Sequence, residues 1–259
     1  VMSAFLAFTV IGVVVGCIYA ITACGLVVTY STSGVFNFAH GAQGMFAAWV
    51  YWQLTVAWGW PTWLGLAAVI GVLAPVMGAA IERLLIRPVR GRSVDVSLVV
   101  TLGLLLFLVG SANLIWKQTV IRTLPQLFDG RYVKVFGFNV SYHQVIVLAA
   151  AVLIAVTLRL FFERTRAGIT MRAAVDNPTL VAMAGSNPDS VQRSAWVLGS
   201  VLASIAGVLL APIVQLTVTQ LTLLVINGYA AAVVGRLRSL PWTVAGAMLV
   251  GLGTSYTVG

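Results

Sequence analysis

Charge is what this sequence has least of. Its 259 residues include 6 Asp and Glu against 15 Lys and Arg, and charged side chains make up only 8% of the chain. An ordinary soluble domain carries about 25%, so this chain cannot clothe itself in a water-facing surface of that kind. From Val1 to Ile81 there is no Asp, Glu, Lys or Arg at all. The two cysteines, Cys17 and Cys24, lie two helical turns apart in an apolar run with no nearby His or second Cys pair. They read as small packing residues rather than a disulfide or metal pair, and no metal site is expected. A G-x-x-x-x-G-K-[ST] phosphate loop is missing as well, so any ATP hydrolysis belongs to another polypeptide. Asp95 and Glu163 fall at expected span ends, which leaves no carboxylate inside a span and argues against a proton- or sodium-coupled carrier. Tandem repeats and low-complexity tracts are also wanting.

What is present is apolar. Hydrophobic residues make up 60% of the chain and the mean hydropathy is +1.02. A membrane-spanning helix needs about 20 such residues. Breaks at Tyr30-Ser31-Thr32-Ser33-Gly34 and Trp58-Gly59-Trp60-Pro61 divide the uncharged N-terminal stretch, and the apolar runs then fall near residues 4–29, 35–57, 62–84, 96–116, 143–162, 191–212, 217–235 and 242–258. The expected fold is all-α: one transmembrane domain over residues 1–259, with about eight transmembrane helices. The first run is too long, and lacks the basic start and cleavage site, to be a simple signal peptide.

The net charge of +9 and pI near 10.3 would suggest nucleic acid if the basic residues lay on a polar surface. Here they sit between apolar runs, which points to anionic membrane lipid and to cytoplasmic loops, with no nucleic-acid partner. Arg83, Arg87, Arg90 and Arg92 mark one such loop. Arg159, Arg164, Arg166, Arg172 and Arg193 flank a second, over about 163–190, and Arg236 with Arg238 mark a third. Eight segments place all three on one side and the N-terminus outside. An external loop over about 117–142 runs against the rule, with Lys117, Arg122, Arg131 and Lys134 offset only by Asp129; its alternation from Arg131 to Phe138 predicts a small hairpin. Gly199, Ala203, Ala206 and Gly207 have the spacing of close helix contact in lipid.

Two segments carry chemistry. In Ser33 to Gly44, residues Asn37, His40 and Gly44 recur at helical spacing with Gln43 beside them, giving a polar stripe in an apolar stretch. The stripe reads either as an interhelical hydrogen-bond cluster or as the wall or gate of a solute path, in which Gly41 also takes part. The break at Tyr30 to Gly34 suits a broken or re-entrant helix start of the kind that lines transporter sites. In the long cytoplasmic loop, Asn177-Pro178 is a cap followed by a first-turn proline and Gly185 a terminator, predicting a short helix over about 178–184. Such a capped helix suits docking into a groove on a soluble partner, with a plain structural turn as the alternative.

Gly34 to Gly41, reading G-V-F-N-F-A-H-G, resembles the "NFAHG" segment of the branched-chain amino acid, urea and amide permeases of ABC importers. Thr165-Arg166-Ala167-Gly168, Met171-Arg172-Ala173, Asp176-Asn177, Ala184-Gly185, Leu198-Gly199-Ser200 and Ala206 to Pro212 are similar to that family's segments in order and spacing, over nearly the whole chain. The resemblance implies a non-catalytic, multi-pass permease of the cell inner membrane that takes no cofactor itself. It implies a second homologous permease subunit, two cytoplasmic ATPase subunits holding ATP and Mg, and an extracytoplasmic solute-binding protein. Arg172, Ala173, Asp176, Asn177 and Gly185 would then couple the chain to the ATPase. Where the family usually reads "GGLGSIPG", this chain has Gly235-Arg236-Leu237-Arg238-Ser239-Leu240-Pro241-Trp242, and the family usually continues through another apolar segment beyond the position of Gly259.

The expected mechanism is ATP-driven alternating access for a small polar solute, foremost branched-chain amino acids. An ATP-independent channel or facilitator for a solute such as urea is the alternative. An intramembrane enzyme built on His40 and His143 is a third reading, opposed by their wide separation and lack of an acidic partner.

Overall fold

The computed structural model describes residues 2–117, 122–135, 138–176, 181, 183, 185 and 187–258. Among these the chain forms nine helices and one hairpin. In order they are α1 (Met2–Ser33), α2 (His40–Trp52, prolonged by a wide turn at Gln53–Ala57), α3 (Thr62–Val89), α4 (Val94–Ile115), β1 (Tyr132–Val135), β2 (Phe138–Ser141), α5 (Tyr142–Arg164), α6 (Arg166–Asp176), α7 (Pro188–Leu210), α8 (Val218–Val234) and α9 (Leu240–Val258). Five helices, α1 over Ala7–Ser33 together with α3, α4, α5 and α7, are long and apolar enough to cross a membrane; α8 is a shorter apolar helix. The all-α expectation holds, and length and composition support five of the eight expected crossings.

Local chemistry explains the helix ends. Ser141 caps α5 in a reciprocal box: its hydroxyl accepts from the Gln144 amide at 3.2 Å, and the Gln144 side chain accepts from the Ser141 amide at 3.0 Å. Asn187 caps α7 by accepting from the Asp189 amide at 2.9 Å, with Pro188 at the first helical position. Inside α3, Pro75 has no N–H and its ring crowds the carbonyl four residues back. The wide turn at Val69–Leu73, directly before it, absorbs that mismatch.

Burial sorts the helices into centre and rim. In α1, 78% of the most apolar window is buried inside the protein, against 22% in α4 and 17% in α5. The centre is therefore α1 with α7, packed against α2, α8 and α9, while α4 and α5 present Leu106, Phe107, Leu114, Val152 and Leu153 outward as lipid-facing surface. Cys17 and Cys24 are free thiols buried on α1.

The three basic loops meet at one end of the molecule. Arg87 and Arg90 pair with Asp189, Arg193 and Arg90 each approach Glu82 at 3.5 Å, and Arg159, Arg172 and Arg238 line one cavity. At the other end stands the expected hairpin, antiparallel with Tyr132 opposite Ser141 and Lys134 opposite Asn139. The Arg122 guanidinium there lies 5.4 Å from the Trp49 ring centre and 5.1 Å from that of Trp52. Trp116 stacks on Trp49 and donates to Gln53 Oε1 at 2.9 Å.

Glu82 corrects one reading of the sequence. It is a carboxylate within α3 and fully buried, not absent from the spans. Its place at the arginine-rich end, with Arg90 and Arg193 on either side, supplies the opposite charge that a buried carboxylate requires.

Candidate substrate path and coupling face

The segment that follows α1 is where the helical pattern breaks. Gly34 adopts φ +68 and ends α1, and residues 34–37 are non-helical before a turn leads into His40. Asn37 therefore does not share a helix with His40 and Gln43. The expected single stripe is divided, because Asn37 belongs to the non-helical stretch after Gly34 and α2 begins only at His40. The break itself was legible in the sequence.

This non-helical stretch lies within the bundle rather than in solvent. Thr101 of α4 donates to the Phe36 carbonyl at 3.0 Å. The Phe36 ring packs 4.5 Å from Tyr30, and Phe38 lies 5.6 Å from Tyr229 of α8. Irregular backbone at membrane depth is tolerated only where protein or a water-filled cavity surrounds it. Val35 and Asn37 are accordingly buried, at 9% and 2% exposure.

The polar groups of this region are sealed in and largely unpartnered. Gln43 Oε1 accepts from the Ser200 hydroxyl of α7 at 3.2 Å. Both side-chain atoms of Asn37 and Gln43 Nε2 lack a hydrogen bond, and the His40 ring has only the Thr22 backbone near it, short of normal hydrogen-bond geometry. Thr222 Oγ1 and the Tyr229 hydroxyl on α8 also lack a hydrogen bond. Each such orphan costs several kcal/mol in a water-free setting, by order of magnitude. A region that keeps this many suits a place where water or a polar solute completes the bonds. Thr222 and Tyr229 escaped the sequence reading. Their seven-residue spacing, which puts both on one face of α8, was the signal available.

Glycine sets how closely these helices approach. A Cβ on Gly44 would stand 2.6 Å from the Ala203 carbonyl, and one on Gly207 would stand 2.8 Å from the Gly44 Cα, so α2 and α7 cross in backbone contact. A Cβ on Gly41 would strike the Thr222 carbonyl and sit 2.9 Å from the Val225 Cβ, which binds α2 to α8. On α1, Gly25 leaves room for the His40 ring, whose Cε1 would be 2.7 Å from a methyl placed there. The structure thus brings His40, Gly41, Gln43 and Gly44 together at one junction of α1, α2, α7 and α8. His143 belongs elsewhere: its Nε2 hydrogen-bonds the Leu209 carbonyl at 2.9 Å, and its Nδ1 accepts from the Leu127 amide at 3.4 Å, a role in packing.

The loop expected on the cytoplasmic side, over about 163–190, contains a helix that the sequence reading missed. Thr165 Oγ1 accepts from the Gly168 amide at 3.0 Å and opens α6. Gly168 presses on the last turn of α5, where its Cβ would stand 2.7 Å from the Phe162 Cα. Met171 is buried at 1% exposure, while Arg172 and Ala173 face outward. Asp176 is the last residue of α6. Asn177 and most of the helix expected over 178–184 lie outside the described residues; Gly185 is exposed and has φ +81, as a helix terminator requires. Just beyond, Asp189 in the first turn of α7 pairs with Arg87 and Arg90 of the loop between α3 and α4. Partial burial draws the Arg90 guanidinium below its ordinary value, against the pull of the Glu82 charge.

Residues 8–259 match the sequence profile of the family described as branched-chain amino acid transport system / permease component. The chain belongs to that permease family. It is 29% identical over 258 residues to the high-affinity branched-chain amino acid transport system permease protein LivH of Escherichia coli K12, covering 95% of this chain and 83% of the relative. The Salmonella typhimurium LivH gives the same identity and coverage. The Pseudomonas aeruginosa permease protein BraD is 28% identical over 257 residues, with 95% and 83% covered. No solved structure matches the chain. As a member of this permease family the chain is a non-catalytic component of an ABC transport system, and a multi-pass protein of the inner membrane.

Proposed function

We propose that this permease carries branched-chain amino acids into the cytoplasm by ATP-driven alternating access, with the broken α1–α2 junction as part of the path or its gate. The observation that carries the reading is the group of buried polar side-chain atoms at an interrupted helix, where Asn37, Gln43, Thr222 and Tyr229, beside the buried His40, offer hydrogen bonds that the protein does not use. Gly41 and Gly44 let α2 lie close to α8 and α7 there, so a small relative movement of α8 opens or closes the space. The substrate class is taken from the printed names of the relatives. Eight crossings, a second homologous permease subunit, two cytoplasmic ATPases that bind ATP and Mg, and an extracytoplasmic binding protein complete the assembly. Arg172, Ala173, Asp176, Asn177 and Gly185 form the face on which the ATPase rides.

Uptake of labelled leucine into proteoliposomes holding the whole complex tests this. Transport that requires ATP and binding protein is expected, and His40→Ala should lower uptake by about tenfold, the factor lost with roughly 1.4 kcal/mol, while the complex still assembles. Leucine flux without ATP would establish a facilitator instead, and unchanged flux in His40→Ala would return the polar groups to packing.

A further inference from the structure

A cavity of about 840 Å³ opens at the arginine-rich end of the molecule, apart from the polar junction described above. It is lined by the last part of α1, from Cys24 to Thr32, by α5 and α9, and by Met171 and Arg172 of α6. At 1.5 Å per residue the α1 part runs about 12 Å along the helix, enough to reach from the interface well into the apolar layer. The lining is apolar at Val28, Leu158 and Val244, each at least one turn inside its helix end, with Phe162 nearer the end, and cationic at Arg159, Arg172 and Arg238. Arg159 is partly offset by Glu163 at 3.2 Å. Arg172 and Arg238 have no carboxylate partner among the described residues.

We infer that this cleft binds an anionic phospholipid of the cytoplasmic leaflet, with its phosphate at Arg238, Arg159 and Arg172 and an acyl chain between α5 and α9. Charge and shape argue for this occupant together. A free anion satisfies the arginines but leaves the apolar lining uncovered, and a neutral lipid covers that lining but leaves the arginines unanswered. An anionic lipid satisfies both, and α5 already belongs to the lipid-facing rim. Because α6 lines the cavity with Arg172 and the buried Met171, bound lipid also props the helix that leads into the coupling loop. The binding itself depends only on the orientation of the chain in the membrane and not on the solute carried.

Native mass spectrometry of the full complex, titrated with phosphatidylglycerol or phosphatidylcholine, tests the inference. Phosphatidylglycerol is expected to bind and phosphatidylcholine not. Removing two charges with Arg159→Gln and Arg238→Gln should weaken phosphatidylglycerol binding roughly thirtyfold. Val244→Trp keeps every arginine and fills the apolar part, and it should also abolish retention. Inorganic phosphate should fail to displace the lipid. Equal retention of both lipids, undiminished phosphatidylglycerol binding in the Gln pair and in Val244→Trp, displacement by phosphate, or a density map with a protein segment in the cleft would each overturn the inference.

Discussion

At the scale of single residues, the turn between α8 and α9 shows what the chain gives up by departing from its family's glycine-rich segment. Arg236 and Leu237 occupy the left-handed region, at φ 53 and φ 55, where a side chain crowds its own backbone. The preceding Gly235 cannot change, because a Cβ there would strike the Thr243 hydroxyl. Leu237 is buried and repays its strain through contact; Arg236 is exposed and does not. The left-handed conformation costs a non-glycine residue roughly 1–2 kcal/mol, while glycine loses roughly 0.5–1 kcal/mol through the freedom of the unfolded chain. Arg236→Gly should therefore stabilise the protein by about 0.5–1 kcal/mol, seen as a higher midpoint of thermal unfolding in detergent. A lower midpoint would show that the Arg236 side chain makes a contact worth more than the strain.

At the scale of elements, the sequence revealed the breaks between helices better than the short helices themselves. Gly34 and the serines and threonines before it predicted the interruption, and the glycine and alanine spacing on α7 predicted close helix contact, which the structure places against α2 at Gly207 and against α1 at Gly199, because both signals are local and steric. The α6 helix was missed because Gly168 and Thr170 are weak helix formers; what holds α6 is tertiary, the seating of Gly168 on α5 and the burial of Met171. The ion pairs were equally hidden, since Glu82 and Asp189 meet their arginines only after α3 and α7 pack side by side. These pairs join the first turns of α7, directly after the loop proposed for coupling, to the end of α3 and the loop that follows it. The Arg87 and Asp189 side chains are partly exposed, at 43% and 27%, so their pair adds at most about 1 kcal/mol to stability. If the preceding loop couples to the ATPase as proposed, the larger effect of the pair is on transmission. Asp189→Asn should leave the midpoint of unfolding nearly unchanged while lowering binding-protein-stimulated ATP turnover at least about fivefold, the low end of ordinary coupling energies. Full stimulation in that variant would leave the pair a surface contact only.

At the scale of the whole molecule, the distribution of basic residues decides which way the chain faces. Eleven of the 15 Lys and Arg residues belong to the three loops that converge at the α6 end, and Lys117, Arg122, Arg131 and Lys134 belong to the other. The four are no match for the eleven, and Arg122 already has a structural role between Trp49 and Trp52, where a guanidinium over an aromatic face gains about 0.5–1 kcal/mol or more. Basic residues near short loops favour the cytoplasm, so the expected orientation has the α6 end inside and the hairpin outside. That orientation would set the proposed coupling face toward an ATPase and the proposed lipid cleft in the anionic leaflet, and both proposals fail if it is reversed. Cys17 and Cys24 are buried, so a cysteine introduced at an exposed loop position reports alone. A membrane-impermeant maleimide added to intact spheroplasts should label Asp129→Cys, and should label Arg92→Cys and Arg238→Cys only after the membrane is opened. Labelling of Arg238→Cys in sealed spheroplasts would place the turn before α9 outside, divide the three basic loops between the two faces, and leave an odd number of crossings between α6 and α9.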